Sequence, residues 1–391
     1  MEDIIVETLG AKGDGIAETA DRRIIVPFAL PGEKVRVGES GEIVEILKST
    51  AGRQTPPCGH FYKCGGCRLQ HMSDEFYAGF KRGIFSQALN RAGAESGAAE
   101  LVIVGPYSRR RAIFKITDEK VGFYAADSHN VVDISECHIL EPEIFALAQE
   151  LRHIPGIKEA LVTLADTGLD VLLYSENPPA LADSENIKNL TAARIAWKYG
   201  EKIIPIISRG AIAMQFGKAL VELPYEAFLQ PTKKGQELIT AEVARALAKE
   251  KAIVDLFSGC GTYSFPLAEK SKIHAVEMGA EMVQGIKKAA AEFQMPVTAE
   301  KRNLHTTPLQ LGELEKYSGC VINPPRTGAL NQCKILAKSG IKKIAMVSCN
   351  PDTFARDAGI LIRGGYKIER ARAIDQFHWT SHLEIVAVFG R

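Results

Sequence analysis

The sequence predicts an α/β protein: a doubly wound, mostly parallel sheet in the C-terminal part, preceded by a small all-β segment and an α+β middle segment. Three observations carry this. After residue 230, short apolar runs alternate with helix-like stretches, the rhythm of a parallel sheet covered on both faces. The first ~50 residues are instead a series of β-branched runs split by glycine and proline turns. Between these parts, Cys58, Cys64 and Cys67 crowd together, with Cys137 the next cysteine along.

Bulk properties bound the rest. A chain of 391 residues exceeds what one hydrophobic core sustains, so two or three domains are expected. A net charge of +1 excludes a generally basic, polyanion-seeking protein, and any nucleic-acid contact must come from local patches. No apolar run approaches the roughly 18 residues of a membrane span. The start, MEDIIVETLG, lacks the basic-then-apolar plan of a secretory signal, so a cytoplasmic location and no membrane partner are expected. In a reducing compartment a cysteine cluster reads as metal binding before disulfide.

In chain order, residues 1–52 carry "DIIVETL", "RRIIVPF", "EKVRVGES" and "GEIVEIL", separated by the turns AKGDG and ALPGE, which suits a small β-barrel. Residues 53–228 mix a helical stretch, EFYAGFKRGIFSQALNRAG, with strand-like "LDVLLYS", "ARIAWKYG" and "AIAMQFG". Residues 229–391 give the strands "AIVDLF", "KIHAVE", "GCVINPP" and "KKIAMVSC", with helices between. The last two runs, "YKIERARAI" and "HLEIVAVF", have no helix between them and should pair as an antiparallel hairpin. That finish suits a class I methyltransferase sheet better than a dinucleotide-binding one.

"VDLFSGCGTYSF" sets Gly259 and Gly261 directly after a strand, where backbone can approach a ligand closely. Glu277 ends the next strand, placed to bind ribose hydroxyls. The third glycine of a dinucleotide fingerprint is replaced by Ser264, which favours S-adenosylmethionine, a ligand with no pyrophosphate to cradle. Ligands of open α/β sheets lie beyond the carboxyl ends of the strands. The strand ending in Cys349-Asn-Pro and the one ending in Asn323-Pro-Pro-Arg326 therefore deliver their last residues to the same crevice. On the final strand, His382 and Glu384 are two apart and should share a face.

At these motifs the chain resembles the RumA/TrmA family of RNA uracil-C5 methyltransferases, over essentially its whole length. "SCNPDTFARD" is similar to the family's nucleophile motif, "HLEIVAVF" to its general-base motif, and "DLFSGCGTYSFPLA" to its cofactor motif. The first segment resembles a TRAM domain, an OB-like RNA-binding barrel. The resemblance implies Cys349 as nucleophile and Glu384 as base. It implies cofactor contacts at Gln230, Phe257, Gly259, Gly261, Thr262, Glu277, Asn303 and Asn323. Two positions depart from the family: Thr262 stands where Asn is frequent, and Asn323 replaces the usual Asp. Asn323 evokes the N-P-P-aromatic motif of amino-group methyltransferases, but Arg326 fills the aromatic slot.

Four thiolates suit zinc as well as iron. Cys58, Cys64, Cys67 and Cys137 match the four ligands of a [4Fe-4S] cluster in RumA-like members, so the resemblance implies the cluster. Cys260, Cys320 and Cys333 are expected to pack. "YSRRRAIFK" (107 to 115) interleaves Arg109, Arg110, Arg111 and Lys115 with Tyr107 and Phe114, a candidate RNA-facing patch. Barrel and cluster together favour 23S ribosomal RNA as substrate, with transfer RNA second. An amino-group methyltransferase and an RNA-binding protein without turnover are the competing functions.

Overall fold

In the computed structural model, which describes residues 1–94, 100–117, 120–179 and 187–391, the β-branched runs at the start form six short strands. They pair into two three-stranded antiparallel sheets, one beginning at Glu2–Ile5 and the other at Thr8–Leu9. Alternation sends Ile24 and Val26 inward and Arg23 and Ile25 outward. Ile4 and Val35 from one sheet meet Ile24 and Val26 from the other in a single small core, which builds the expected barrel-like unit.

A seven-stranded sheet follows, antiparallel throughout except where Gly168–Ser175 and Arg194–Tyr199 run parallel. Phe114 and Trp197 are buried in it beneath helix Pro142–Glu150.

The C-terminal sheet has eight strands in the order Val297–Lys301, Lys272–Glu277, Ala252–Leu256, Gly319–Ile322, Lys343–Ser348, Glu384–Gly390, Lys367–Asp375 and Glu100–Ile103. The first five are parallel neighbours. The expected hairpin is present: Glu384–Gly390 runs antiparallel to both Lys343–Ser348 and Lys367–Asp375. The strands read as continuous apolar runs because both faces are covered. Ile253 and Val321 face one core, Leu256 and Ile322 the other. Chain order reverses between Ala252–Leu256 and Gly319–Ile322, which locates a ligand crevice at their carboxyl ends.

Two findings go beyond the sequence expectation. Val297–Lys301, with no strong β-pattern, forms an edge strand. Helix Asp74–Ala92 and strand Glu100–Ile103, which precede the seven-stranded sheet in sequence, are built into the C-terminal body. The strand pairs parallel with Lys367–Asp375. The helix, capped by Ser73 and ended by left-handed Gly93, packs Phe85 and Leu89 into the core that holds Phe354 and Leu361. Its fully buried Lys81 ion-pairs Asp375 at 2.9 Å.

Candidate active site

Cys349 lies where strand Lys343–Ser348 turns into helix Pro351–Arg363. The Asn-Pro that follows is the start of that helix. The Asn350 side chain caps it, accepting from the Asp352 N–H at 3.0 Å, and Pro351 fits the first helical position, where no N–H is required. The turn leaves the thiol half-buried on the carboxyl edge of the sheet. Asn350 Nδ2 also donates to the Arg326 carbonyl (3.1 Å), tying this turn to the Asn323-Pro-Pro-Arg326 strand end.

The glycine loop is the second wall. Phe257, Gly259 and Gly261 all have positive φ, at 60°, 56° and 86°. For Phe257 this is a costly left-handed conformation held by its surroundings, a feature that clusters at ligand sites. A side chain at Gly259 would meet nothing within 4 Å, so the loop is open on that side. Glu277 closes the neighbouring strand and accepts three backbone N–H groups: Gly259 at 2.9 Å, Met278 at 2.7 Å and Gly279 at 2.8 Å. A carboxylate has roughly four acceptor sites, so one remains for a ligand hydroxyl.

These walls enclose a cavity of about 580 Å³, lined by Cys349 and Glu384 together with Gln230, Phe257, Gly259, Thr262, Glu277, Asn303 and Asn323. The volume suits a cofactor with a substrate base beside it. The Ser258 hydroxyl, also on the lining, is buried with no protein partner, as a polar ligand would require. The donor set thus fits an adenosyl cofactor. Gly261 alone among the expected contacts is off the lining. A Cβ there would strike the Phe265 ring at 2.8 Å, so this glycine serves loop packing.

Glu384 opens the last strand and is 2% exposed. Burial raises its carboxyl to about 7, against the pull of a hydrogen bond from Gln376 Nε2 at 3.0 Å. Burial also pushes the Cys349 thiol up to about 11; the Glu384 carboxylate adds to this and the Arg326 guanidinium opposes it. The resting thiol is therefore protonated at neutral pH.

Two expectations change. His382 does not share a strand face with Glu384, because the strand begins at Glu384. The His382 ring lies instead beside Phe377 and, at 3.4 Å, the Arg326 guanidinium. The arginine stretch is not a free basic patch. Buried Arg110 donates to the Gln230 carbonyl (2.9 Å) and Gln236 Oε1 (2.7 Å), and Arg111 holds the Ala227 carbonyl. These guanidinium groups brace the segment that delivers Gln230, while Arg109 and Arg111 also reach the cavity wall. Functional neighbours that no local motif signals are Ser258, Gln376 and His305, whose ring tilts against Phe257 at 5.3 Å. Cys260, Cys320 and Cys333 are buried, as expected.

Cys58, Cys64 and Cys67 lie on a loop pinned to the Cys137 segment: the Gly59 N–H donates to Glu136 and the Ser135 N–H to His60 Nε2 at 2.9 Å. Burial raises each of the three thiols, and Cys137 raises each further, so the four sulfurs lie within electrostatic reach. Among the described residues, no group of three or more His, Cys, Asp or Glu side chains is arranged to hold a metal ion.

A family model described as tRNA (Uracil-5-)-methyltransferase matches residues 212–390. An uncharacterized RNA methyltransferase of Brucella melitensis is 39% identical over 415 residues, 99% of this chain and 97% of the relative. A 23S rRNA (uracil(1939)-C(5))-methyltransferase of Halomonas elongata is 30% identical over 424 residues, covering 98% and 88%. The crystal structure of Pyrococcus abyssi tRNA (uracil-54, C5)-methyltransferase with S-adenosyl-L-homocysteine superposes with a TM-score of 0.79 at 20% identity, covering 99% of each chain. That likeness establishes the fold.

Proposed function

The chain belongs to the RNA uracil-C5 methyltransferase family, and on that premise we propose that it methylates uridine at C5 in 23S ribosomal RNA, in the cytoplasm, with Cys349 as nucleophile and Glu384 as base. The observation that carries the reading is the convergence of Cys349, Glu384 and the glycine loop on one cavity. S-adenosyl-L-methionine, when bound, supplies a methyl group activated on a sulfonium. Gln230, Phe257, Gly259, Thr262, Glu277, Asn303 and Asn323 would hold it beside the base.

The chemistry of the residues follows from uracil itself. C5 is a poor nucleophile until the Cys349 thiolate adds to C6 and makes an enolate. After methylation, Glu384 takes the C5 proton and the Cys349–C6 bond breaks, returning the thiolate. A carboxyl near 7 suits that task, since at neutral pH it is available in both forms. Asn323 has no side-chain hydrogen bond among the described residues. It can accept from uracil N3–H and donate to O4, where enolate charge develops. The uracil has to leave its stack to expose C6.

The ribosomal choice rests on the Halomonas relative, which spans nearly the whole chain, and on the barrel and cysteine loop that accompany the catalytic part. We assign RNA capture to residues 1–52, a [4Fe-4S] cluster on Cys58, Cys64, Cys67 and Cys137 to residues 53–228 apart from the helix Asp74–Ala92 and strand Glu100–Ile103, and catalysis to residues 229–391 with that helix and strand packed onto them. The cluster reading draws on the resemblance of the cysteine spacing and on the loop that carries Cys58, Cys64 and Cys67 being pinned to the Cys137 segment. Mapping 5-methyluridine in ribosomal and transfer RNA, with and without the protein, tests the substrate. Loss of a transfer RNA mark alone would replace the ribosomal reading, and full activity of Cys349→Ala would indicate amino-group methylation. Brown, iron- and sulfide-containing protein from anaerobic purification is expected, and colourless protein with stoichiometric zinc would refute the cluster.

A further inference from the structure

Gln376 lies behind the cavity wall, off its lining, and bridges two residues that are on it, Gln230 and Glu384. It is 2% exposed, and its Nε2 lies 3.0 Å from Glu384 Oε2 and 2.6 Å from Gln230 Oε1. One amide nitrogen thus serves two acceptors, one on the base and one on a methyl-donor contact. Gln230 Nε2 continues the chain to the Tyr263 hydroxyl at 3.1 Å. Against the ionised Glu384 carboxylate the Gln376 amide has to present its nitrogen, which leaves Gln376 Oε1 buried with no partner among the described residues. The preceding residue is immobilised: Asp375 is fully buried and accepts from Lys81, Tyr77 and the Phe377 N–H.

We propose that Gln376 is a positioning residue for proton abstraction, holding the Glu384 carboxylate oriented and ionised and linking it to the donor contact Gln230. This rests on the reading of Glu384 as the base. The titratable groups around Glu384 are the Cys349 thiol at the strand end and the Tyr263 hydroxyl in the glycine loop. The Lys81–Asp375 pair lies behind the bend, and Arg326 and His382 lie on the thiol side. Among the described residues, Gln376 alone donates a hydrogen bond to the carboxylate. An amide cannot titrate, so it remains a donor at every working pH and favours the charged form.

The test is Gln376→Met, which keeps volume and removes the donor. The rate at which the methylated Cys349–RNA adduct resolves is followed against pH in single turnover. The midpoint of its acid limb is expected to rise by about one pH unit, slowing resolution about fivefold at pH 7 and restoring wild-type speed near pH 9. The Kd for S-adenosyl-L-homocysteine should rise about threefold, because Gln230 loses a partner. A profile superimposable on wild type, or a uniform loss at every pH as from damaged packing, overturns the proposal. Gln376→Asn, which keeps the amide but shortens its reach, should give the same shift and serves if the methionine variant does not fold. Glu384→Gln run in parallel separates the two readings. If it releases product at the wild-type rate, the base assignment fails; if it traps the adduct while Gln376→Met behaves as wild type, the Gln376 inference alone fails.

Discussion

Glu277 and Glu384 line one cavity, and the chain surrounds them differently. Glu277 ends a parallel strand and gathers three backbone N–H groups from the loop beside it and the turn after it. Those dipoles are fixed by the backbone and hold the carboxylate in one orientation, which is what an anchor for ribose hydroxyls requires. Glu384 begins an antiparallel strand, lies deeper, and receives a single side-chain amide. With little to compensate its charge, burial carries the carboxyl to about 7, where it can take a proton and give it back. On the proposed roles, donor number and depth separate a binding carboxylate from a proton-transferring one.

The largest effect should come from Glu384→Gln. With no base, the enzyme methylates and stalls, so a covalent protein–RNA adduct accumulates on denaturing gels and turnover falls roughly 10³-fold. Glu277→Gln should break the other side of the comparison. KM for S-adenosyl-L-methionine is expected to rise roughly tenfold to a hundredfold with kcat changed little, because a binding contact is lost and the proton transfer is intact. The smallest effect concerns stability. The Glu384 carboxyl is raised from 4.5 in the unfolded chain to about 7 in the fold, so between these values the native state holds more protons. Stability therefore falls as pH rises through that window, and above it the buried charge costs about 3 kcal/mol. Glu384→Gln should accordingly raise Tm at pH 8, with the gain shrinking toward zero below pH 4.5. An equal Tm shift at both ends would mean that Glu384 is not desolvated as described.

Much of the site was legible because turn chemistry is written locally. Glycines after an apolar strand, Asn-Pro after another and Asn-Pro-Pro after a third each mark a carboxyl edge, and the parallel topology brings those edges together. The stretch from Arg109 to Arg111 shows the opposite case. Its composition reads as an RNA-facing patch, yet the Arg110 and Arg111 side chains brace the carbonyls of Gln230 and Ala227. Nothing in a run of basic residues says whether phosphate or a distant backbone segment will meet it. The same holds for helix Asp74–Ala92, whose place in the C-terminal body depends on surfaces that come much later in the chain. His382 misled for a smaller reason: the strand starts two residues after it, and strand ends are set by pairing partners rather than by pattern.

The sequence by itself determined the alternation that builds the sheet and the position of a thiol, a carboxylate and a glycine loop at strand ends, since those follow from periodicity and turn residues. Only the tertiary structure decided how the carboxylate is tuned. Gln376 reaches Gln230 across 146 positions, and Lys81 reaches Asp375 across 294. Proton affinity depends on which groups replace water around an atom, and those groups come from parts of the chain that share no local pattern.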